Sequence, residues 1–355
     1  MIGGNKKCIG LIFGGHSNEH EISISSAKTV FQAFNAEINK PRFTVRAFYI
    51  DKFGVWRNCD LSEKILIGEI ENNPIKKQVI VNQEKINFLD GIEFQNVDVW
   101  FPLLHGFNGE DGSIHGLLRF TKKPIVGCGI IGSALGMDKI LMKTIFSNLN
   151  LPQVNYLVFQ NEDLNNKLVK KKIISEIIKK FNFPVFVKPS NSGSSLGISK
   201  VNNESEIPKA LEKAWEIDSR ILVEEGLKVR EIECGIIGKT KLFTSEIGEV
   251  KYEGDWYDYD SKYNKHNKII IPAEIDPKIT KQIKEIAIQS CRALNIFGFA
   301  RVDFFLEKSS NKILLNEINT IPGFTKNSMF PMLWKASGLN IEQLVAKLVD
   351  ISLDL

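Results

Sequence analysis

The chain has 355 residues, with 46 Lys and Arg against 42 Asp and Glu and a net charge of +4. That length predicts two or three domains, and 43% hydrophobic with 25% charged residues is an ordinary globular composition. The small positive excess gives no ground for a nucleic-acid partner or a membrane surface, and no apolar run reaches the length of a membrane span.

Cys8 to Phe13 is an apolar run that ends at Gly14-Gly15, and an amphipathic helical pattern follows from about Ile22 to Phe34. Strand, glycine turn and helix in that order are the unit of an open α/β domain. Phe43–Ile50 and Val97–Leu104 predict further strands, about Gly112–Phe120 a helix, and Pro124–Val126 another strand. The first domain is expected to close at residue 127, which divides the chain into 1–127, 128–223 and 224–355. One helix is predicted from about Ile131 to Leu149, stopped by Leu151-Pro152. Val154–Phe159 and Pro184–Lys188 predict strands flanking a basic helix. Its lysines, from Lys167 to Lys180, form a solvated face opposite Leu168, Ile173, Ile174, Ile177 and Ile178. Ile221–Glu225 and Arg230–Ile237 open a strand-rich third part. It carries a polar, aromatic loop at 248–268, a helix near 276–294 and a closing helix near Asn340–Ile351.

The five cysteines, at 8, 59, 128, 234 and 291, are odd in number, lack a CxxC pair and lie mostly in apolar runs. They predict reduced thiols packed as small hydrophobes in a cytoplasmic protein, in keeping with an N-terminus that enters a strand without a signal-peptide pattern.

Chemistry concentrates in Gly-Phe-Ala-Arg301-Val-Asp303-Phe-Phe-Leu and Leu-Leu-Asn-Glu317-Ile-Asn319, two short apolar segments joined by the polar turn 307–312. Residues two apart on a strand share a face, so Arg301 and Asp303 point together, as do Glu317 and Asn319. Paired as a hairpin, the strands converge three hard oxygen donors beside a guanidinium, which suits Mg²⁺ held between carboxylates and substrate phosphates. Solvated charges on an outer face are the plainer alternative, but charge inside a core-like strand is costly unless paired or metal-bound.

Val187-Lys188-Pro189-Ser-Asn-Ser-Gly193-Ser194-Ser195-Leu-Gly197 is a strand ending in lysine, followed by a loop of small residues. Its glycines, N–H groups and hydroxyls can cradle a phosphate, although it lacks the order of a Walker A loop. Lys139, in Gly136-Met-Asp-Lys139, is a second cation candidate at a helix start. The loops Gly14-Gly15-His16-Ser17-Asn18-Glu19 and His105-Gly106-Phe-Asn-Gly109-Glu110-Asp111-Gly112 follow strands, where open α/β domains bind ligands. Their acids suit an ammonium group or the N-terminus of the next helix. Gly127-Cys-Gly129-Ile-Ile-Gly132 matches GxGxxG, but no acidic strand end follows at the required offset, so tight turn glycines are the better account.

Taken in order, GGHSNEHEIS, HGFNGEDG, SALGMDK, VKPSNSGSSLGISKV, LVEEGLKVREIECGIIG, WYDYDSKY, ARVDFF and NEINTIPGFTKNSMFP resemble the D-alanine–D-alanine ligases of the ATP-grasp superfamily, from Gly14 to about Trp334. The resemblance implies an α/β ATP-grasp fold behind an N-terminal open α/β domain, three domains in all. The implied activity is ATP-dependent joining of two D-alanines through an acyl phosphate, for peptidoglycan precursors. Carried over by position, Glu19 holds the ammonium of the first D-alanine. Lys139, Lys188 and the Ser194-Ser195 loop contact phosphates, and Glu224, Leu227 and Glu231 line the adenine and ribose pocket. Lys262 reaches the γ-phosphate from the covering loop, and Ser194 and Tyr263 tie that loop to Glu19. Asp303, Glu317 and Asn319 bind two Mg²⁺, for which Mn²⁺ can substitute. Arg301 and the Gly323 backbone stabilise an oxyanion, and Ser328 holds the second carboxylate, with His105 and Met329 also lining the substrate site. The resemblance also implies a homodimer. His115 and Arg119 depart from the more usual Gln and Glu, and the insert between Lys52 and Gln95 resembles the longer members. Relatives using D-serine or D-lactate at the second site, other ATP-grasp ligases and a non-catalytic ATP-binding module remain alternatives. Tyr263 and Met329 resemble the D-alanine type.

Overall fold

The computed structural model describes residues 5–70, 96–160, 167–251 and 268–354. Its strands fall into three sheets. The first is parallel, in the order β2-β1-β3, with β1 at Lys7–Gly14, β2 at Phe43–Ile50 and β3 at Val99–Pro102. A parallel sheet is covered on both faces, which is why β1 and β3 read as unbroken apolar runs. The helices α1 (His20–Phe34), α2 (Cys59–Ile67) and α3 (Ser113–Arg119) accompany it. The strand expected at Pro124–Val126 is a single parallel bridge, Trp100 to Ile125.

The helix expected over Ile131–Leu149 is two helices, α4 (Gly129–Met137) and α5 (Lys139–Asn148). Asp138 divides them. Its backbone is extended, and its carboxylate caps α5 by accepting from the N–H groups of Ile140 and Leu141. The break aims the start of α5, and with it Lys139, at the next sheet. Gly127 and Gly129 have positive φ, and a Cβ on Gly132 would lie 2.9 Å from the Asn295 carbonyl oxygen. The GxGxxG glycines are thus used in a turn and in close packing.

The second sheet is antiparallel, β4-β7-β5-β6, from Tyr156–Gln160 (β4), Val185–Pro189 (β5), Ser199–Val201 (β6) and Arg220–Glu225 (β7). The helices α6 (Lys167–Lys180) and α7 (Ile207–Trp215) cover it. Helix α7 buries Ile207, Ala210, Leu211, Ala214 and Trp215, a single helical stripe. In α6, Ile173 and Ile177 enter this core, whereas Leu168 is exposed.

The third sheet, β10-β9-β8-β11-β12, is also antiparallel. It is built from Val229–Gly238 (β8), Leu242–Lys251 (β9), Lys268–Ile270 (β10), Gly298–Glu307 (β11) and Ile313–Asn319 (β12). One face packs on α4, α5 and α8 (Pro277–Ala293), burying Cys128, Met142, Phe146, Ile283 and Ala287 with Val302 and Phe304. Helix α9 (Met329–Ala336) lies on β8 and β9. The closing helix α10 (Ile341–Leu353) returns to the first sheet, where Leu344, Val345 and Leu348 join Ile9, Phe34 and Phe101. All five cysteines are free thiols; four are buried and Cys8 is half-buried. No helix among the described residues is long and apolar enough to cross a membrane.

Candidate active site

The expected hairpin is present, and its register decides the chemistry. Arg301 pairs with Asn319 and Asp303 with Glu317, with a bulge after Asp303. Strand β11 alternates strictly beyond Ala300. Val302, Phe304 and Leu306 are buried in the core, while Arg301, Asp303 and Phe305 face a cavity of about 1500 Å³. Arg301 grips Asp303 with two parallel bonds, Nε to Oδ1 and Nη2 to Oδ2, both 2.7 Å. Glu233, opposite Asp303 on β8, places Oε2 2.8 Å from Arg301 Nε. Burial disfavours the guanidinium charge, but Asp303 and Glu233 outweigh it and hold the Arg301 pKa well above its ordinary value. Asn319 Nδ2 donates to Asp303 Oδ2 at 2.8 Å.

Two carboxylates and an amide on one polar face fit a hard divalent cation. Among the described residues, no group of three or more His, Cys, Asp or Glu is arranged to hold a metal by itself. Asp303, Glu317 and Asn319 therefore suit an ion whose remaining ligands are phosphate oxygens or water.

Two lysines line the same cavity. Lys139 Nζ donates to the Ser192 carbonyl at 2.6 Å and lies 3.5 Å from Glu317 Oε2. Lys188 Nζ is 2.5 Å from Glu224 Oε2, and Lys143 Nζ is 2.8 Å from Glu224 Oε1. Burial pushes the Glu224 carboxyl up, but Lys143 and then Lys188 overcome it and hold the pKa at about 2. In the glycine–serine loop, Ser194 and Ser195 both have positive φ, 50° and 57°. Non-glycine residues held there store strain of the kind found at ligand clamps. Leu227 and Glu231, on the turn into β8 and on β8 itself, line the same cavity.

The N-terminal sheet supplies the far end. Glu19 precedes α1, yet its side chain makes no capping bond; its carboxylate borders the cavity instead. Ser17 Oγ, which accepts from the Glu19 N–H, donates to the His105 carbonyl at 2.6 Å. Gly106 has φ 71°, and a Cβ there would sit 2.9 Å from Glu19 Oε2; one on Gly193 would sit 3.4 Å away. The phosphate-type loop and the amino-acid-type loops thus meet around one carboxylate. The buried His105 ring is braced on both sides, by Ser26 Oγ at Nε2 and the Ile321 carbonyl at Nδ1. Glu110 accepts N–H groups from Gly106 and Ile321. Burial first, and Glu19 second, push its carboxyl up to about 8 against those bonds. Beyond Ile321, Gly323, Ser328 and Met329 line the cavity, with Met329 packed against Val250 and Leu333.

Every residue given a binding or catalytic role by the resemblance lines one cavity, except Lys262 and Tyr263, which lie outside the described residues, as do most of loop 248–268 and of the insert between Lys52 and Gln95. Three further residues enter the account. Glu110 lies inside a motif already noted. Glu233 is on the Glu231 face of β8, and Lys143 is one helical turn after Lys139. Same-face spacing is the signal that could have found the last two.

Models of known families match over nearly the whole chain: "D-ala D-ala ligase N-terminus" over residues 8–128 and "D-ala D-ala ligase C-terminus" over 145–350. The chain is 84% identical, over all 355 residues and the full length of both proteins, to a D-alanine–D-alanine ligase of Prochlorococcus marinus strain MIT 9301. It is 81% identical over the same extent to that of strain MIT 9312. Among solved structures, the VanG D-Ala:D-Ser ligase of Enterococcus faecalis superimposes with TM-score 0.81 at 32% identity, covering 98% of this chain and 100% of that one. The D-alanine–D-alanine ligase of Coxiella burnetii gives TM-score 0.79 at 33% identity, covering 98% and 96%. The three sheets around one cleft are therefore the ATP-grasp α/β architecture, and the chain belongs to the D-alanine–D-alanine ligase family.

Proposed function

We propose that the protein joins two D-alanine molecules to D-alanyl-D-alanine at the expense of ATP, through a D-alanyl phosphate, for peptidoglycan precursor synthesis. One observation carries the reading: the Glu19 carboxylate, the Lys139–Lys188 cations and the Arg301–Asp303–Glu317–Asn319 face open into a single cavity. In this reading residues 1–127, 128–223 and 224–355 act as three units around the cleft. Glu19, with Glu110 behind it, holds the ammonium of the first D-alanine. Lys139, Lys188, Ser194 and Ser195 hold ATP phosphates, Glu224, Leu227 and Glu231 the adenosine end, and Lys262 the γ-phosphate. Asp303, Glu317 and Asn319 would hold Mg²⁺, whose positive charge would offset that of the phosphates.

The carboxylate of the first D-alanine takes the γ-phosphoryl group and ADP departs. The amine of the second D-alanine, its carboxylate on Ser328, attacks the acyl carbon, and the bond to phosphate breaks. Arg301 and the Gly323 N–H stabilise the tetrahedral oxyanion, a preorganised donor pair in a desolvated site. Water has to be kept from the acyl phosphate, which it would hydrolyse. The protein is expected to work as a cytoplasmic homodimer, which light scattering on the purified chain tests.

Incubation with ATP, Mg²⁺ and D-alanine should yield ADP, phosphate and the dipeptide by mass spectrometry; no dipeptide would refute the proposal. A second reading, D-serine as acceptor, is favoured by the likeness to the VanG D-Ala:D-Ser ligase. Against it, the helix after Ser328 opens with the buried, apolar-packed Met329. Product analysis with D-alanine, D-serine and D-lactate in competition separates them.

A further inference from the structure

Lys143 does not line the cavity, yet it is 1% exposed and its ammonium lies 2.8 Å from Glu224. Glu224 is 2% exposed and carries Lys188 on its other oxygen at 2.5 Å. One buried carboxylate thus serves two buried lysines, of which only Lys188 reaches the cleft. A one-to-one Glu224–Lys188 pair would be closed. Turning Lys188 towards a phosphate would then leave Glu224 as an isolated buried anion, which is strongly unfavourable. The second cation removes that penalty, because Glu224 stays neutralised from behind whichever way Lys188 points. Burial lowers the Lys143 pKa while Glu224 opposes the fall, in keeping with a cation kept for its partner rather than for solvent.

We infer that Lys143 is a positioning residue for nucleotide binding: it holds Glu224 from behind the cleft wall and so frees Lys188 for the phosphates. The inference rests on the reading that Lys188 contacts ATP. It predicts that K143M raises the Kd for Mg²⁺–ADP and the KM for ATP about tenfold or more, with the KM for D-alanine within about twofold. K143R, which keeps the charge, should recover most of the affinity. In an E224Q background Lys188 is no longer held by a carboxylate, so K143M should cost nothing further. Calorimetric titration of ADP into each folded variant reads this without turnover, and K143Q replaces K143M if the latter does not fold. Equal ADP affinity in the wild type and the neutral variant, or an equal rise in both KM values, overturns the inference alone. A wild type that binds no ADP overturns the nucleotide reading and this inference with it.

Discussion

His115 offers a direct test of how burial sets stability in this chain. The ring is 1% exposed, and neither nitrogen has a hydrogen-bond partner. It lies against Gly127, where a Cβ would meet Nε2 at 2.5 Å. Burial lowers the imidazole pKa from 6.5 to about 4, with Asp111 opposing weakly. The unfolded chain therefore takes up a proton below about 6.5, whereas the folded chain resists until about 4. Stability from a neutral His115 is complete above pH 6.5 and is lost as pH falls towards 4. Between pH 8 and pH 5 the loss is about 2 kcal/mol, and it approaches about 3 kcal/mol below pH 4. Other groups titrate over the same range, so the comparison is with H115Q, whose amide does not titrate. Urea unfolding of both proteins at pH 8 and pH 5, followed by tryptophan fluorescence, should show the gap shifting by about 2 kcal/mol in favour of the variant at pH 5. Trp100 reports on this region, since it shares a core cluster with Ile114 and Leu118, which flank His115. A gap constant to within about 0.5 kcal/mol would refute the assignment of an uncompensated neutral histidine.

E317Q should lower turnover by at least about a hundredfold with an unchanged circular dichroism spectrum, because an amide cannot offset metal charge; a near-normal rate removes Glu317 from the mechanism. G106A forces a Cβ against the Glu19 carboxylate from a left-handed backbone, so the KM for D-alanine should rise about tenfold with the ATP KM little changed; steady-state kinetics decide. With its pKa near 8, Glu110 is largely protonated at pH 7. An ammonium placed beside it and Glu19 favours the ionised form. D-alanine binding should therefore release a proton, seen as a buffer-dependent heat in calorimetry and absent in E110Q.

Much of this architecture was legible from one dimension, for identifiable reasons. Phe43–Ile50 is a strand over the whole predicted span, and the expected Asn340 start of the last helix is a capping box closed by Gln343. Period-two and helical patterns record burial face by face, and caps are local chemistry. Where local signals competed, the sequence misled. Apolar residues on both sides of Asp138 read as one helix, because the carboxylate cap shows only once Ser190 and Arg220 also bind it. The strands Leu242–Lys251 and Lys268–Ile270 and the helix Ile207–Trp215 escaped notice, although the last carries a clean apolar stripe.

The sequence by itself determined the chemical inventory: an Arg-x-Asp strand, a Glu-x-Asn strand, a lysine before a glycine–serine loop, and an acid after the first strand. Residue types and spacings of two are local, and strand geometry converts them directly into shared faces. Only the tertiary structure decided which pieces meet. Glu19 and Gly193 are neighbours because the first and second sheets close on one cavity, and Lys143 serves Glu224 across more than eighty residues of chain. The Arg301–Asp303–Asn319 hairpin also changed in meaning. Antiparallel pairing set Asp303 opposite both Glu317 and Glu233, so the guanidinium beside the metal-type carboxylates is held by two acids. Such pairings follow from packing three cores around a cleft. That long-range arrangement is not carried by any single window of sequence.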